Sequence, residues 1–186
     1  MDARGNRLWP HDLRVNLGEA PAYQSTPQIA TDSQGNAIVV WAEHTNPYFG
    51  VHAQKFSPTG ARLWANEVRV NGEPAYRMDW GHEGSLAIAM DGQDNVIVVW
   101  EGEWQYTWTD PDVYAQKVGR DGQRLWATDV KVNSDNIHRQ RIMAVDVDAS
   151  GVSVVAWVDE RNAGEDIYAQ RLDATGPTPV GAGGQG

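Results

Sequence analysis

The chain has 186 residues, including 19 Gly, 9 Pro, 9 Trp and no Cys, and its formal net charge is -10 at pH 7. The lack of Cys excludes disulfides, thiolate nucleophiles and Cys-ligated metals, and an acidic chain without a Lys/Arg cluster argues against a nucleic-acid partner. We also expect no transmembrane segment, because no apolar run approaches the roughly 20 residues that a spanning helix needs, and no leader peptide is visible.

Residues 7–16 contain the first of several recurring sequence markers, an Arg-Leu-Trp triplet followed by a basic residue, Val and Asn. The same marker returns at 62–71 and at 124–133. We predict that 7–16 forms a strand of the same kind as those two segments. Because it precedes the first complete repeat, we interpret it as a closing strand that completes the last repeat.

Three tandem repeats follow, at 26–71, 85–133 and 142–176. Each contains two apolar segments joined by a short polar turn, with a Trp at the end of the second segment. A segment with an Ala-Gln pair comes next, and the first two repeats then end in the Arg-Leu-Trp marker, which the third lacks. These segments are short, rich in Val, Ile, Trp and Tyr, and bounded by Gly, Asp and Asn, so they predict four β-strands in a complete repeat and an all-β chain.

The predicted turns have an Asp-x-x-Gly form at 32–35, 148–151 and 173–176. The Asp side chain can accept hydrogen bonds from the turn backbone, and Gly can adopt the positive φ that closes a hairpin. These turns predict tight antiparallel hairpins. The Gly/Pro-rich segment 177–186 has the composition of a linker, and we expect this tail to lie against a partner chain.

Two all-β architectures use repeated four-stranded units. In a β-propeller each unit is a radial blade, whereas in a β-trefoil three units close around a threefold axis. The position of 7–16 ahead of the first repeat favours the propeller, in which an N-terminal strand commonly completes the last blade. The β-trefoil is the alternative.

The repeated pattern is also similar to that of a known group of proteins. It reads Asp-x-x-Gly-Asn-x-x-Val-Val-Trp, then Tyr-Ala-Gln-Lys/Arg, then Val-Asn, with a further characteristic string from Trp157 to Asp173. It resembles the propeller-like repeats of large bacterial exported and cell-surface proteins, over nearly the whole chain. The resemblance implies a β-propeller and an extracytoplasmic location, whether periplasmic, secreted or at the cell surface, and it implies no particular catalytic residues.

A chain of three blades raises the question of what covers its open sides. Three blades are too few to close a propeller ring, and open sheet edges invite pairing with other chains. We therefore expect a protein partner or a homo-oligomer, such as a dimer that forms a six-bladed ring. The predicted function is a non-catalytic scaffold or interaction subunit of a larger assembly, and a lectin-like carbohydrate-binding module is the alternative.

The candidate binding residues lie in the loops on one side of the predicted blades. Six are aromatic side chains outside the repeated strand positions, since aromatic rings suit both sugar stacking and protein contacts. Two are arginines near the third repeat. The candidates are Tyr48, Phe49, Trp80, Trp104, Tyr106, Trp108, Arg139 and Arg161.

Other Trp and Gln residues recur with the strands, and we assign them to the architecture. The recurring Trp residues indicate packing between blades, and the recurring Gln residues are expected to hydrogen-bond nearby backbone. They are Trp41, Trp100, Trp157, Gln54, Gln116 and Gln170.

We found no sequence motif for nucleophilic or metal-dependent catalysis. Carboxylates share loops within 101–112 and 159–166, where an acid and a base could support glycosidase chemistry, but we interpret them as a solvated acidic rim. Asp110 and Asp112 could bind Ca²⁺, yet they lack the ligand spacing of an EF-hand. We therefore expect no enzymatic activity, no metal and no cofactor.

Overall fold

The computed structural model describes residues 4–18, 22–45, 48–72, 85–102, 111–134, 138–162 and 164–176. These residues form strands and no helix, so none of them belongs to a helix that could span a membrane. The strands are β1 (Tyr23–Thr31), β2 (Ala37–Thr45), β3 (Tyr48–Phe56), β4 (Val68–Arg69), β5 (Leu86–Met90), β6 (Val96–Gly102), β7 (Asp112–Val118), β8 (Val130–Lys131), β9 (Gln140–Val147), β10 (Ser153–Asp159) and β11 (Asp166–Leu172).

The strands form three antiparallel sheets that correspond to the three sequence repeats. The first sheet has the order β1-β2-β3-β4, the second β5-β6-β7-β8, and the third β9-β10-β11. The prediction of an all-β chain is therefore confirmed, and the described part of the third repeat has three strands. Within the described ranges, no strand of one sheet pairs with a strand of another. This arrangement lacks the closed barrel that the trefoil alternative requires.

The turns have the predicted geometry. Asp32 accepts hydrogen bonds from the backbone N–H groups of Gln34 at 2.9 Å and Asn36 at 2.8 Å. Gly35 then adopts a φ of 78°. In the second sheet Asp94 occupies the position of this glycine and has a φ of 62°. The short Asp-capped turn thus fixes the register of each hairpin.

The sheets pack face to face in chain order. Strand β1 lies beside β5, and β5 lies beside β9. One apolar core fills the space between the first and second sheets, and another fills the space between the second and third. Strand β6 is buried along its whole length because the second sheet has a neighbour on both faces. This explains why the sequence of β6 is continuously apolar from Val96 to Trp100 rather than alternating.

Two of the three recurring Trp residues pack between sheets as predicted, whereas Trp41 lies on the outer face of the first sheet. Trp100 lies in the core between the first and second sheets, and Trp157 lies in the core between the second and third. The side-chain oxygen of Gln54 accepts a hydrogen bond from the backbone N–H of the next residue at 2.8 Å, and Gln116 does the same at 3.0 Å. These residues are therefore part of the framework.

Residues 7–16 do not form the predicted strand. The physical reason is that no described strand edge is aligned beside this segment to supply backbone partners. Side-chain contacts hold it against the first sheet instead. Trp9 donates its indole N–H to the carbonyl oxygen of Pro58 at 2.8 Å, and Arg62 donates to the carbonyl oxygen of Arg14 at 2.9 Å.

The Gly122→Ala substitution should destabilise the fold at the contact between the first and second sheets. Gly122 has a φ of 86°, and an added Cβ would lie 2.9 Å from Cγ2 of Val68. A left-handed Ala costs about 1–2 kcal/mol, and overpacking adds about 1–3 kcal/mol. Gly35→Ala is the matched control. Its φ is similar, but its added Cβ would lie 3.8 Å from the nearest atom, Cγ of Pro58. Urea unfolding should show the larger loss for Gly122→Ala; equal losses would exclude a packing contribution.

Candidate interaction surface

The outer face of the third sheet is exposed where the equivalent faces of the other two sheets are buried. We call it the open face and define it by Val154, Ala156, Ile167, Ala169 and Arg171. Pairing of Ala156 with Ala169 and of Val154 with Arg171 places these side chains on one side of the sheet. The open face is therefore a continuous patch on strands β10 and β11.

The side chains of the open face are much more exposed than the residues at the equivalent positions of the other two repeats. Ile167 is 69% exposed, whereas Val51 and Val113, at the same position in β3 and β7, are both 0% exposed. Val154 is 47% exposed, whereas Ile38 and Ile97 are both 0% exposed. The first two sheets bury these side chains against the next sheet, and the third sheet has no described neighbour on this side.

The charged pair on this face is buried in the first two sheets. Lys55 lies 2.8 Å from Asp32, and Lys117 lies 2.8 Å from Asp91, with all four residues buried. Burial raises the pKa of Asp32, but the hydrogen bonds from Lys55 and Asn36 outweigh it and lower the pKa to about 2. The equivalent residues of the third sheet, Asp148 and Arg171, are exposed.

The segment 7–16, which we call the N-terminal segment, packs on the first sheet. The Arg-Leu-Trp markers of the first and second repeats pack in the same way on the second and third sheets. Trp64 donates its indole N–H to Arg120 O at 3.1 Å and Trp126 to Ala174 O at 3.4 Å, as Trp9 does to Pro58 O. A second contact also recurs. The backbone N–H of Leu17 donates to Glu67, as that of Gly72 does to Asp129 at 2.7 Å.

A pocket of about 180 Å³ lies between the N-terminal segment and the outer face of the first sheet. We call it the Trp41 pocket. Trp41 is buried and lines it, and its indole N–H has no hydrogen-bond partner among the described residues. The pocket is lined by Val15, Asn16, Gln24, Ser25, Pro27, Val39 and Trp41.

His52 makes the first sheet chemically different beside Trp41. Its ring stacks on Trp41 with centroids 6.0 Å apart, where the other sheets stack Tyr114 on Trp100 and Tyr168 on Trp157. Burial lowers the pKa of His52, although nearby Glu43 and Glu67 act to raise it. Each of these carboxylates lies 3.9 Å from a different ring nitrogen of His52.

A second charged cluster lies at the loop end of the third sheet. Arg161 donates to both carboxylate oxygens of Asp159, at 2.8 and 2.5 Å, and its guanidinium lies 4.1 Å from the centroid of the Tyr168 ring. The hydrogen bonds from Arg161 outweigh burial and lower the pKa of the Asp159 carboxyl to about 2. Arg161 is thus held by its own sheet, and Arg139 lies nearby, with its carbonyl oxygen accepting from the backbone N–H of Glu160 at 3.3 Å.

The predicted aromatic candidates are distributed differently from the expectation. Phe49 is 1% exposed and lies in the core between the first and second sheets, so it offers no surface to a ligand. Tyr48 begins strand β3, and its side chain lies outside the described part of the structure. Trp80, Trp104, Tyr106 and Trp108 also lie outside the described residues, as does the tail 177–186. Sugar binding by the loop aromatic residues and partner binding by the tail stay predictions.

The described residues contain no group of three or more His, Asp or Glu side chains placed to hold a metal ion. The open-face residues were not among the predicted site residues. A signal was nevertheless present in the sequence, because Val154 and Ile167 align with strand residues of the first two repeats while the third repeat lacks the Arg-Leu-Trp marker.

Comparisons with known proteins found no matching family model and no matching curated protein. Among solved structures, the chain is similar to an endo-arabinase from Bacteroides thetaiotaomicron, with 11% identity and a TM-score of 0.49. The match covers 81% of this chain and 56% of that enzyme, so the chain spans little more than half of its length. The expectation that the chain is not an enzyme is contradicted by this neighbour, which is an enzyme, and we do not retain it.

Proposed function

We propose that the chain is a propeller-type interaction subunit that binds a protein through the open face of its third sheet. The observation that carries this proposal is the exposure of Ile167, since the same position is completely buried in the other two sheets. A side chain that the repeat normally buries is here available to a partner.

The propeller-type arrangement is supported by how the sheets follow one another. The first strands of the three sheets lie side by side, and the sheets stack through their faces in chain order. This is how blades succeed each other around a propeller axis. Each inter-sheet contact buries one face of each sheet, and the open face of the third sheet, which no described sheet covers, is suited to a further contact of the same kind.

The chemistry of the open face fits a protein partner. Val154 and Ile167 provide an apolar centre, and Arg171 provides a charged edge, which is the usual composition of a protein interface. Strand β11 is also the outer strand of its sheet, and no described strand pairs with it along that edge. An edge of this kind can accept an added strand. The partner we propose therefore supplies both an apolar surface and a strand.

The proposal is tested by affinity capture from an extract of the cells that produce the protein. We compare Ile167→Asp with Leu63→Asp, in which the same change is made at an exposed leucine of the first repeat. A charge in the centre of an interface is strongly unfavourable, so proteins that bind the open face should be lost with Ile167→Asp and kept with Leu63→Asp. Quantitative mass spectrometry measures this difference. Equal recovery by both variants, or no bound protein with a bait that is itself a monomer, would overturn the proposal.

A further inference from the structure

We propose that the open face and the outer edge of β11 are covered by the first sheet and the N-terminal segment of a second copy of this chain. This inference names the partner of the interaction proposed above and rests on it. The two ends of the stack are complementary in strand content, in hydrogen bonding and in surface shape.

The number of strands in each sheet provides the first complementarity. In the first two sheets the third strand is covered by a fourth, β4 beside β3 and β8 beside β7. The described part of the third sheet ends at β11 with no fourth strand. The N-terminal segment has the sequence marker of a fourth strand and packs on the first sheet as such a strand does, but it pairs with no strand. Among the described residues, the third sheet therefore lacks a fourth strand of the kind that the N-terminal segment could supply.

The internal repeats fix the register of the proposed contact. Ala53 is paired with Val68 in the first sheet, and Ala115 is paired with Val130 in the second. The equivalent residues are Ala169 in β11 and Leu13 in the N-terminal segment, four positions after the Trp of its marker. We therefore expect Leu13 of one copy to lie opposite Ala169 of the other.

The hydrogen bonds of the fourth strand provide the second complementarity. Val51 receives a hydrogen bond from the backbone N–H of Val70 at 2.7 Å and donates its own N–H to the side-chain oxygen of Asn71 at 2.8 Å. In the second sheet the N–H of Val113 donates to Asn133 in the same way at 2.8 Å. Asn16 is the equivalent side chain of the N-terminal segment. We expect it to accept a hydrogen bond from Ile167 of the other copy.

The surfaces of the two ends provide the third complementarity. Trp100, which is equivalent to Trp41, lies in the core with Val40 and Val51 of the preceding sheet. Trp41 instead borders a pocket on the outer face of the first sheet. The residue equivalent to Val51 in the third sheet is Ile167. We therefore expect Ile167 of one copy to pack at the Trp41 pocket of the other, which buries both apolar surfaces at once.

A second copy is the occupant because one chain cannot make this contact with itself in the observed arrangement. The second sheet lies between the first and the third, and it packs against both. The N-terminal segment is held on the first sheet by Trp9, on the far side of the stack from β11. Two copies related by a twofold axis would make the contact twice and close a ring of six sheets.

Cysteine cross-linking tests the contact directly, because the chain contains no Cys. We mix a Leu13→Cys variant with an Ala169→Cys variant and oxidise the mixture. Residues opposite each other on paired strands are close enough for a disulfide, so a cross-linked product of twice the 20.5 kDa chain is expected. The internal control is an Ala53→Cys/Val68→Cys double variant, whose pair is at the same register within one chain. Leu63→Cys mixed with Ala169→Cys is the negative control.

Light scattering of the purified chain provides the second measurement. Wild type should have the mass of two chains. Asn16→Ala should weaken self-association about a hundredfold, because the twofold contact loses one buried hydrogen bond at each of its two sites and each loss costs about tenfold. The inference is overturned if the internal control oxidises but Leu13 and Ala169 do not cross-link, or if the purified chain is a monomer. If extract proteins still bind in an Ile167-dependent way in that case, the proposed function stands and only the second copy is excluded; if they do not, both fail.

Discussion

Replacing Trp100 with Ala is expected to lower the free energy of unfolding by about 3–5 kcal/mol, the usual cost of removing a fully buried Trp. Trp100 is 0% exposed and fills the core between the first and second sheets. Its ring also stacks on Tyr114, with centroids 6.3 Å apart. The large loss follows because both neighbouring sheets are fixed by their own hairpins and cannot collapse into the resulting cavity.

Trp41→Ala is the matched control for this prediction. Trp41 has the same place in its repeat and a similar stacking contact, with His52, but it borders a pocket instead of a neighbouring sheet. Urea unfolding at low protein concentration, where a second copy would be dissociated, should show a smaller loss for Trp41→Ala than for Trp100→Ala. Equal losses would mean that packing between the first and second sheets does not depend on Trp100 in the way proposed.

The repeats allowed much of the fold to be predicted. The apolar segments that end in Trp41, Trp100 and Trp157 lie on strands β2, β6 and β10, and the Asp-x-x-Gly turns have the expected hydrogen bonds and positive φ. These features depend on local sequence, because alternation and turn chemistry act over a few residues. Their recurrence in three copies made the local signal unambiguous.

Burial could not be predicted in the same way. Ile38, Ile97 and Val154 occupy one repeat position and have similar side chains, yet only Val154 is exposed. The difference depends on whether another sheet covers the face, and no local pattern encodes this. Phe49 is the opposite case. It was assigned to a loop, but β2 and β3 stay paired as far as Thr45 and Tyr48, which carries Phe49 into the core.

The segment 7–16 shows the same limit for a backbone element. Its marker matches those of β4 and β8, and its Trp9 makes the same kind of contact with the following sheet as Trp64 and Trp126 do. It forms no strand, because a strand also needs a partner edge and none is described beside it.

The extracytoplasmic location and the resemblance to exported repeat proteins stay predictions.

Asp32→Asn is expected to lower the free energy of unfolding at neutral pH by about 3–5 kcal/mol, because it leaves the buried Lys55 ammonium without its carboxylate. The two charged atoms lie 2.8 Å apart, and Lys55 Nζ also lies 3.4 Å from the carbonyl oxygen of Arg120 in the turn that follows β7. The control is Asp148→Asn, at the equivalent turn of the third sheet. Asp148 is exposed, and among the described residues its carboxylate bonds only to its own turn, so this variant should lose much less stability.

The same pair gives a pH dependence whose sign is fixed by the lowered pKa of Asp32. A carboxylate with a folded-state pKa of about 2, below the ordinary value of 3.8, stabilises the fold above the ordinary value and loses that contribution as pH falls towards 2. Wild type should therefore lose stability more steeply than Asp32→Asn between about pH 5 and pH 2. Urea unfolding at a series of pH values measures both slopes. Parallel slopes would show that Asp32 has an ordinary pKa in the folded chain, and hence that its ion pair with Lys55 does not stabilise the fold.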